Sequence, residues 1–244
     1  MTPTQPVNYK TSWLIEEASA RSHITSVLQD IKQRYAIQQC DVLELGSGIG
    51  TNLSIFAPNN HVQGVEGMGE AVLESNARGI TAIKADLEAP LALPPGSADW
   101  ILCIDVLEHL INPVVCLDSA SKLLRSDGRL IVNVPNHFDW RGRIRVLLGS
   151  GIDSRRYFPE SKIWEYPHVR FFQRATIEEL LRSVGFSVEE DYSYRFNSFP
   201  KAAFFNRVGA QHILQSMQNR WPDVFSGGYF LVCRKSRPQK NSSR

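Results

Sequence analysis

The chain has 244 residues, 43% of them hydrophobic, and a formal net charge of +2. That length allows one large domain or two small ones with a substantial core, and the near-balance of charge argues against a nucleic-acid partner. No run of roughly 18 apolar residues exists to span a membrane, and the polar start Met-Thr-Pro-Thr-Gln-Pro lacks the apolar segment of a secretory signal.

The four cysteines, Cys40, Cys103, Cys116 and Cys233, have no metal-ligand spacing, and no metal site is expected. Cys103 and Cys233 fall within apolar strand patterns, so buried thiols and a reducing cytoplasm fit best.

Residues 1–10 hold two prolines among polar residues and are expected to be mobile. Over 13–35, apolar residues fall at Trp13, Leu14, Ala18, Ile24, Val27, Leu28 and Ile31, the spacing of one or two amphipathic helices. Asp41-Val-Leu-Glu-Leu-Gly-Ser-Gly-Ile-Gly-Thr51 follows, apolar around Glu44 and then studded with Gly46, Gly48 and Gly50. This predicts a buried parallel strand ending in a tight turn. Residues 51–56 start a helix, so free N–H groups face a ligand there.

Strands and helices then alternate to residue 136: strands over 62–66 and 83–87, a helix over 69–76, and a strand into Asp105. A helix over 112–124 carries Pro113 in its first turn, Ser126-Asp-Gly128 is a turn, and 129–134 is the fifth strand. Such alternation predicts a parallel sheet with crossover helices.

The glycine loop is not a regular dinucleotide fingerprint, because Thr51 stands where G-x-G-x-x-G has its third glycine. Glu44 beside the loop adds nothing for a pyrophosphate but suits a ligand with a cationic end. S-adenosylmethionine (SAM), with its ammonium and sulfonium, is such a ligand. Glu66 follows Gly46 by twenty residues at the end of the second strand, where an acid accepts bonds from ribose hydroxyls. That feature alone does not separate SAM from NAD. Asp86 ends the third strand, suited to an adenine amino group, and Asp105-Val-Leu-Glu108-His109 closes the fourth in a polar cluster. Asp99, opening that strand, is expected to be structural.

In order, E-L-G-S-G-I-G, G-V-E-G-M, A-D-L and D-W-I-L-C-I-D-V-L-E-H resemble the class I SAM-dependent methyltransferases, over roughly residues 38–136. The resemblance lies closest to the group of ubiquinone-biosynthesis and MetW-like proteins. It implies a Rossmann-like α/β fold: seven strands, mostly parallel, an antiparallel last strand, and helices on both faces. It implies SAM as cofactor, S-adenosylhomocysteine as product, and a cofactor site of Glu44, Gly46, Ser47, Gly48, Gly50, Asn52, Glu66, Gly67, Met68, Asp86, Leu87, Ile104 and Asp105. Glu44 would lie near the SAM amino group, Glu66 at the ribose, and Gly67 and Met68 near the adenine.

Residues 137–174 form the least regular stretch, rich in aromatics and arginines, as a lid and wall of a substrate pocket would be. Thr176-Ile-Glu-Glu179 reads as a capping box, and Gly185 ends the helix it opens. A strand over 186–192, a helix over 204–220 and a last strand over 228–234 complete the chain.

One domain is expected over 1–244: an N-terminal helical cover to 36, a SAM-binding core over 38–136, a substrate-side insertion over 137–175, the rest of the sheet over 176–234, and a tail from 235. The cover either lies over the cofactor, as in the related family, or packs against the sheet.

His109 is the candidate base or positioning residue. With His137, Trp140, Tyr166, His168 and Arg170 it makes up the expected substrate side. The acceptor is expected to be a small molecule methylated at oxygen or carbon: an aromatic, lipid-linked or glycan intermediate, apolar with an anionic group. Two alternatives stand beside this: a SAM-binding partner protein without its own transferase activity, and an NAD-dependent oxidoreductase. The sequence does not set the oligomeric state.

Overall fold

The computed structural model describes residues 22–152, 167–196, 198, 209 and 211–236. The expected mobile start, the first part of the helical cover, Tyr166, the beginning of the 204–220 helix and most of the tail lie outside them.

In chain order the elements are α1 (Ser22–Arg34), β1 (Asp41–Leu45), α2 (Leu53–Phe56), β2 (His61–Glu66), α3 (Gly69–Ala77), β3 (Ala82–Lys84) and β4 (Ala98–Ile104). There follow α4 (Pro113–Leu123), β5 (Leu124–Pro135), α5 (Trp140–Leu147), α6 (Arg174–Ser183), β6 (Phe186–Asp191), α7 (Gln211–Arg220), α8 (Pro222–Phe225) and β7 (Gly228–Lys235). The sheet order is β3-β2-β1-β4-β5-β7-β6. β1 pairs in parallel with both β2 and β4, β4 pairs in parallel with β5, and β7 inserts antiparallel between β5 and β6.

Period-two alternation sorts the strand residues onto two cores. Leu43, Leu45, Ile101, Cys103, Leu130, Val132, Leu231 and Cys233 face α4 and α6, which add Cys116, Leu117, Ile177 and Leu181. Val42, Trp100, Leu102, Ile104, Ile131, Phe230 and Val232 face α1 and α2, which add Ile24, Val27, Leu28, Ile31, Leu53 and Phe56. The described part of the cover thus packs against the sheet. Each such aliphatic side chain contributes about 1.5–3 kcal/mol by leaving water. All four cysteines are free thiols, with Cys103, Cys116 and Cys233 buried.

Several boundaries differ from the sequence reading. Ser126–Gly128 is not a turn apart from the fifth strand. β5 begins at Leu124, and the three residues bulge between the Ala98↔Leu124 and Trp100↔Arg129 pairs. The helix placed at Thr176 starts two residues earlier, with Gln173 as N-cap. Thr176 occupies the third position, its Oγ1 accepting from the Gln173 N–H at 2.9 Å. The supposedly irregular stretch opens with a helix, α5, whose N-cap Asp139 accepts from the Gly142 N–H at 3.0 Å. β7 runs on to Lys235, so the tail starts one residue later.

At the starts of β1 and β4, beside that bulge, Asp99 accepts the Asp41 N–H at 2.8 Å, and Arg125 pairs with both acids. Asp99 is structural, as expected.

Candidate functional site

In a doubly wound sheet the ligand crevice opens at the carboxyl ends of the strands, where the order reverses. Here that point lies between β1 and β4, because the chain builds outward from β1 to β3 on one side and from β4 on the other. The glycine loop leaves β1 at this point. Gly46, Gly48 and Gly50 all have positive φ. Gly46 shows why glycine is needed: at φ +76° an added Cβ would stand 2.4 Å from Val106 Cγ2, just past the end of β4. The two loops that bracket the crevice therefore touch through a missing side chain.

Carboxylates fix the loops further. Glu66, half-buried at the end of β2, accepts the Gly48 N–H through Oε2 and the Met68 N–H through Oε1, each at 2.9 Å. A carboxylate has about four acceptor positions, so two remain for hydroxyls from outside. Behind the loop Glu44 is fully buried, and the Asn52 amide donates to its Oε1 at 2.7 Å. Ser47 is buried in the loop.

One strand over, the Glu66 carbonyl accepts the Ala85 N–H, bringing the Asp86 turn alongside. Asp86 is exposed, with Oδ1 accepting from Glu88 N–H at 2.8 Å, and Leu87 is buried. Gly67 is exposed and Met68 half-buried. Ile104 ends β4 buried, and Asp105 turns left-handed at φ +54°, with the Asn133 amide of β5 donating to its Oδ1. A non-glycine residue in that region is held by its surroundings and marks a constrained site.

Just past the end of β4 a second group is built from side chains. Leu107–His109 forms a 3-10 turn after β4. The Glu108 carbonyl accepts the N–H groups of Val169 and Arg170 at 2.8 and 3.0 Å, which clamps the 167–170 segment onto that turn. The clamp gathers three imidazoles. The His109 and His168 ring centres are 4.6 Å apart, and those of His137 and His168 4.9 Å. His168 Nδ1 lies 2.9 Å from His137 Nε2. Burial, with His109 and His137 close by, lowers the His168 pKa to about 2, so its ring is neutral. α5 backs His137: a Cβ on Gly142 would stand 2.0 Å from the His137 carbonyl oxygen, so only glycine lets the helix close so tightly.

Of the expected substrate-side residues, then, His109, His137 and His168 come together. Arg170 is exposed, and its guanidinium donates to the Ile111 carbonyl. Trp140 is half-buried, its Nε1 donating to the Ser198 carbonyl at 2.6 Å, which ties α5 to the far end of the chain. Tyr166 lies outside the described residues. Glu108 received no role in the sequence reading, yet it is only 1% exposed and sits against this cluster. Its direct adjacency to His109 was the available signal.

A family profile described as a methyltransferase domain matches residues 20–191. The chain is 29% identical over 116 residues to the ubiquinone biosynthesis O-methyltransferase of Xylella fastidiosa strain M23, covering 45% of this chain and 47% of that one. It is 29% identical over 152 residues to a probable S-adenosylmethionine-dependent methyltransferase of Mycolicibacterium smegmatis, covering 62% and 53%. The chain thus spans about half the length of these curated relatives. A SAM-dependent methyltransferase from Archaeoglobus fulgidus superposes with a TM-score of 0.56 at 16% identity, covering 86% of this chain and 94% of that one. Glycine loop, strand-end acids, strand order and profile agree: the chain belongs to the class I SAM-dependent methyltransferases.

Proposed function

We propose that the chain binds SAM at the carboxyl ends of β1 to β4 and transfers its methyl group to a small-molecule acceptor held on the histidine side. The observation that carries this is the Glu66 carboxylate, bonded to both Gly48 and Met68 N–H groups with lone pairs to spare at the strand-order switch. Those lone pairs suit ribose hydroxyls. The buried Glu44 supplies negative charge for the ammonium, with Gly46, Ser47, Gly48, Gly50 and Asn52 shaping the loop around it. Gly67, Met68, Asp86 and Leu87 line the adenine side, and Ile104 and Asp105 close the floor.

Bound SAM supplies a methyl already activated on sulfonium, so the protein's task is mainly to align the acceptor. His109, 19% exposed at its side chain, faces that task as a positioning residue or base. Its Nδ1 lies 3.3 Å from the Pro167 carbonyl; assigned as donor there, it leaves Nε2 for the acceptor. His137 and His168 stand beside it on the acceptor side. The relation to ubiquinone-biosynthesis O-methyltransferases and the arginines of 137–174 favour O- or C-methylation of an aromatic, lipid-linked or glycan intermediate with an anionic group. Binding of uncharged polar acceptors alone would count against that acceptor class.

Calorimetric titration with SAM, S-adenosylhomocysteine and NAD tests the reading. The expected result is binding of both adenosyl ligands, weakened at least about tenfold in Glu66→Ala, since bonds to a charged group contribute about 1.5–3 kcal/mol. NAD binding in place of SAM would overturn it. Cofactor binding with turnover only in the presence of a second protein would instead support a non-catalytic partner role.

A further inference from the structure

Beside the proposed cofactor crevice, the side chains of Glu108, His109 and His168 bring one carboxylate oxygen and two imidazole nitrogens within 4.8 Å of one another. Three atoms so spaced share a point no more than about 2.8 Å from each, so shifts under about 1 Å reach the roughly 2.0–2.2 Å of zinc coordination. The geometry points to a divalent transition-cation site formed by Glu108, His109 and His168, open towards the methyl acceptor. Its role rests on the methyl-transfer reading; its existence does not.

The surroundings are those of a ligand set. Metal-bound histidines almost always donate their second ring N–H to a fixed acceptor, which sets the tautomer and aims the other nitrogen. Both histidines have such an acceptor. His109 Nδ1 faces the Pro167 carbonyl at 3.3 Å, and His168 Nδ1 faces His137 Nε2 at 2.9 Å. With Nδ1 the donor in each, both Nε2 atoms are presented, and His109 Nε2 already lies 4.0 Å from Glu108 Oε1. The frame is rigid, since the Glu108 carbonyl takes the Val169 and Arg170 N–H groups and so holds His168 opposite its own side chain.

Two imidazoles and one carboxylate select borderline cations such as Zn²⁺ over Mg²⁺ or Ca²⁺, which prefer all-oxygen sites. Three protein ligands leave coordination positions for an outside group, the pattern of catalytic sites. A hydroxyl of the acceptor bound there would ionise more readily: its O–H bond breaks, the pair stays on oxygen, and the proton goes to water. The oxygen would then face the methyl group as an oriented anion. This favours oxygen over carbon as the methylated atom.

The test uses the full chain, tag-free and stripped with EDTA, titrated calorimetrically with ZnCl₂ and separately with MgCl₂. The same samples are titrated with S-adenosylhomocysteine. The expected result is one equivalent of Zn²⁺, with affinity falling at least about tenfold in Glu108→Gln, His109→Gln and His168→Gln. S-adenosylhomocysteine binding should persist in all three, which shows that they are folded. His109 is the least buried of the three ligands, so its variant guards against a failure of folding at the other two. Absence of stoichiometric Zn²⁺ binding in wild-type protein that binds S-adenosylhomocysteine would overturn the site, as would unchanged Zn²⁺ affinity in folded variants or a preference for Mg²⁺. Zn²⁺ binding without S-adenosylhomocysteine binding would keep the site and remove the methyl-transfer reading.

Discussion

Gly46, Gly48, Glu66 and Asp86 reach the crevice from the ends of β1, β2 and β3, each within a few residues of its strand. Glu108, His109, His137 and His168 gather beyond β4 from three separate segments, the last of them clamped by the Glu108 carbonyl and bonded to His137. The first region is made of backbone: positive φ angles and N–H groups received by one carboxylate. The second is made of side chains stacked edge to face. A backbone site is written locally in the sequence and tolerates little change at a few positions. A side-chain site depends on packing between distant segments, so damage to it can leave the first intact.

Substitution at the loop should separate the two most sharply. Gly46→Ala combines a left-handed backbone with a Cβ 2.4 Å from Val106. A cost of about 1–2 kcal/mol for the conformation and a further 1–3 kcal/mol for overpacking is expected. Differential scanning calorimetry should show a fall in melting temperature of several degrees, and SAM titration a loss of affinity of at least about tenfold. Unchanged SAM affinity would mean that the loop does not shape the cofactor site.

A smaller effect should come from the other region. Trp140→Phe keeps an aromatic ring but trims the indole and removes the N–H bonded to the Ser198 carbonyl. About 1 kcal/mol of stability should be lost, read as a shift in urea midpoint, with SAM affinity unchanged. A parallel loss of SAM affinity would show that α5 and the glycine loop are coupled after all.

The smallest effect lies at the opposite end of the strands. The Arg125 hydrogen bond holds the Asp41 carboxyl below its ordinary range. The folded pKa is lowered, so the contribution is present above the unfolded value of about 3.9 and is lost as pH falls through the folded one. Arg125→Met should therefore lower stability only slightly at neutral pH, the pair being substantially exposed and screened by solvent. The gap between wild type and variant in thermal melts should close below about pH 4. A gap that stays open in acid would assign the effect to lost packing instead.

The same contrast sets what could be read from the sequence. Strands β1 to β4 and the acids at their ends were legible because apolar runs broken by glycine carry both fold and site in one stretch. That the last strand runs antiparallel also came through, on the strength of the family resemblance. The bulge at Ser126–Gly128 did not, since Asp-Gly signals a turn whether or not pairing resumes beyond it. α5 did not either, because Gly142 and three arginines obscure its period, and the need for glycine there lies in the His137 carbonyl it packs against. His109, His137 and His168 were each singled out, but nothing along the chain says that they meet. The sequence set Glu108 beside His109, but it took the fold to bring His168 to them.

The place of β7 also bears on how the protein is made. Among the described residues β6 pairs in the sheet with β7 alone, and β5 offers seven residues, Arg129–Pro135, that β7 covers on that side. Synthesis delivers β5 and β6 first, so a growing chain holds an open apolar edge until Gly228–Lys235 leaves the ribosome. Unpaired strand edges of this kind recruit other chains. The half of the sheet that carries the glycine loop and the strand-end acids is complete well before then, and the step that protects the protein from its neighbours follows it.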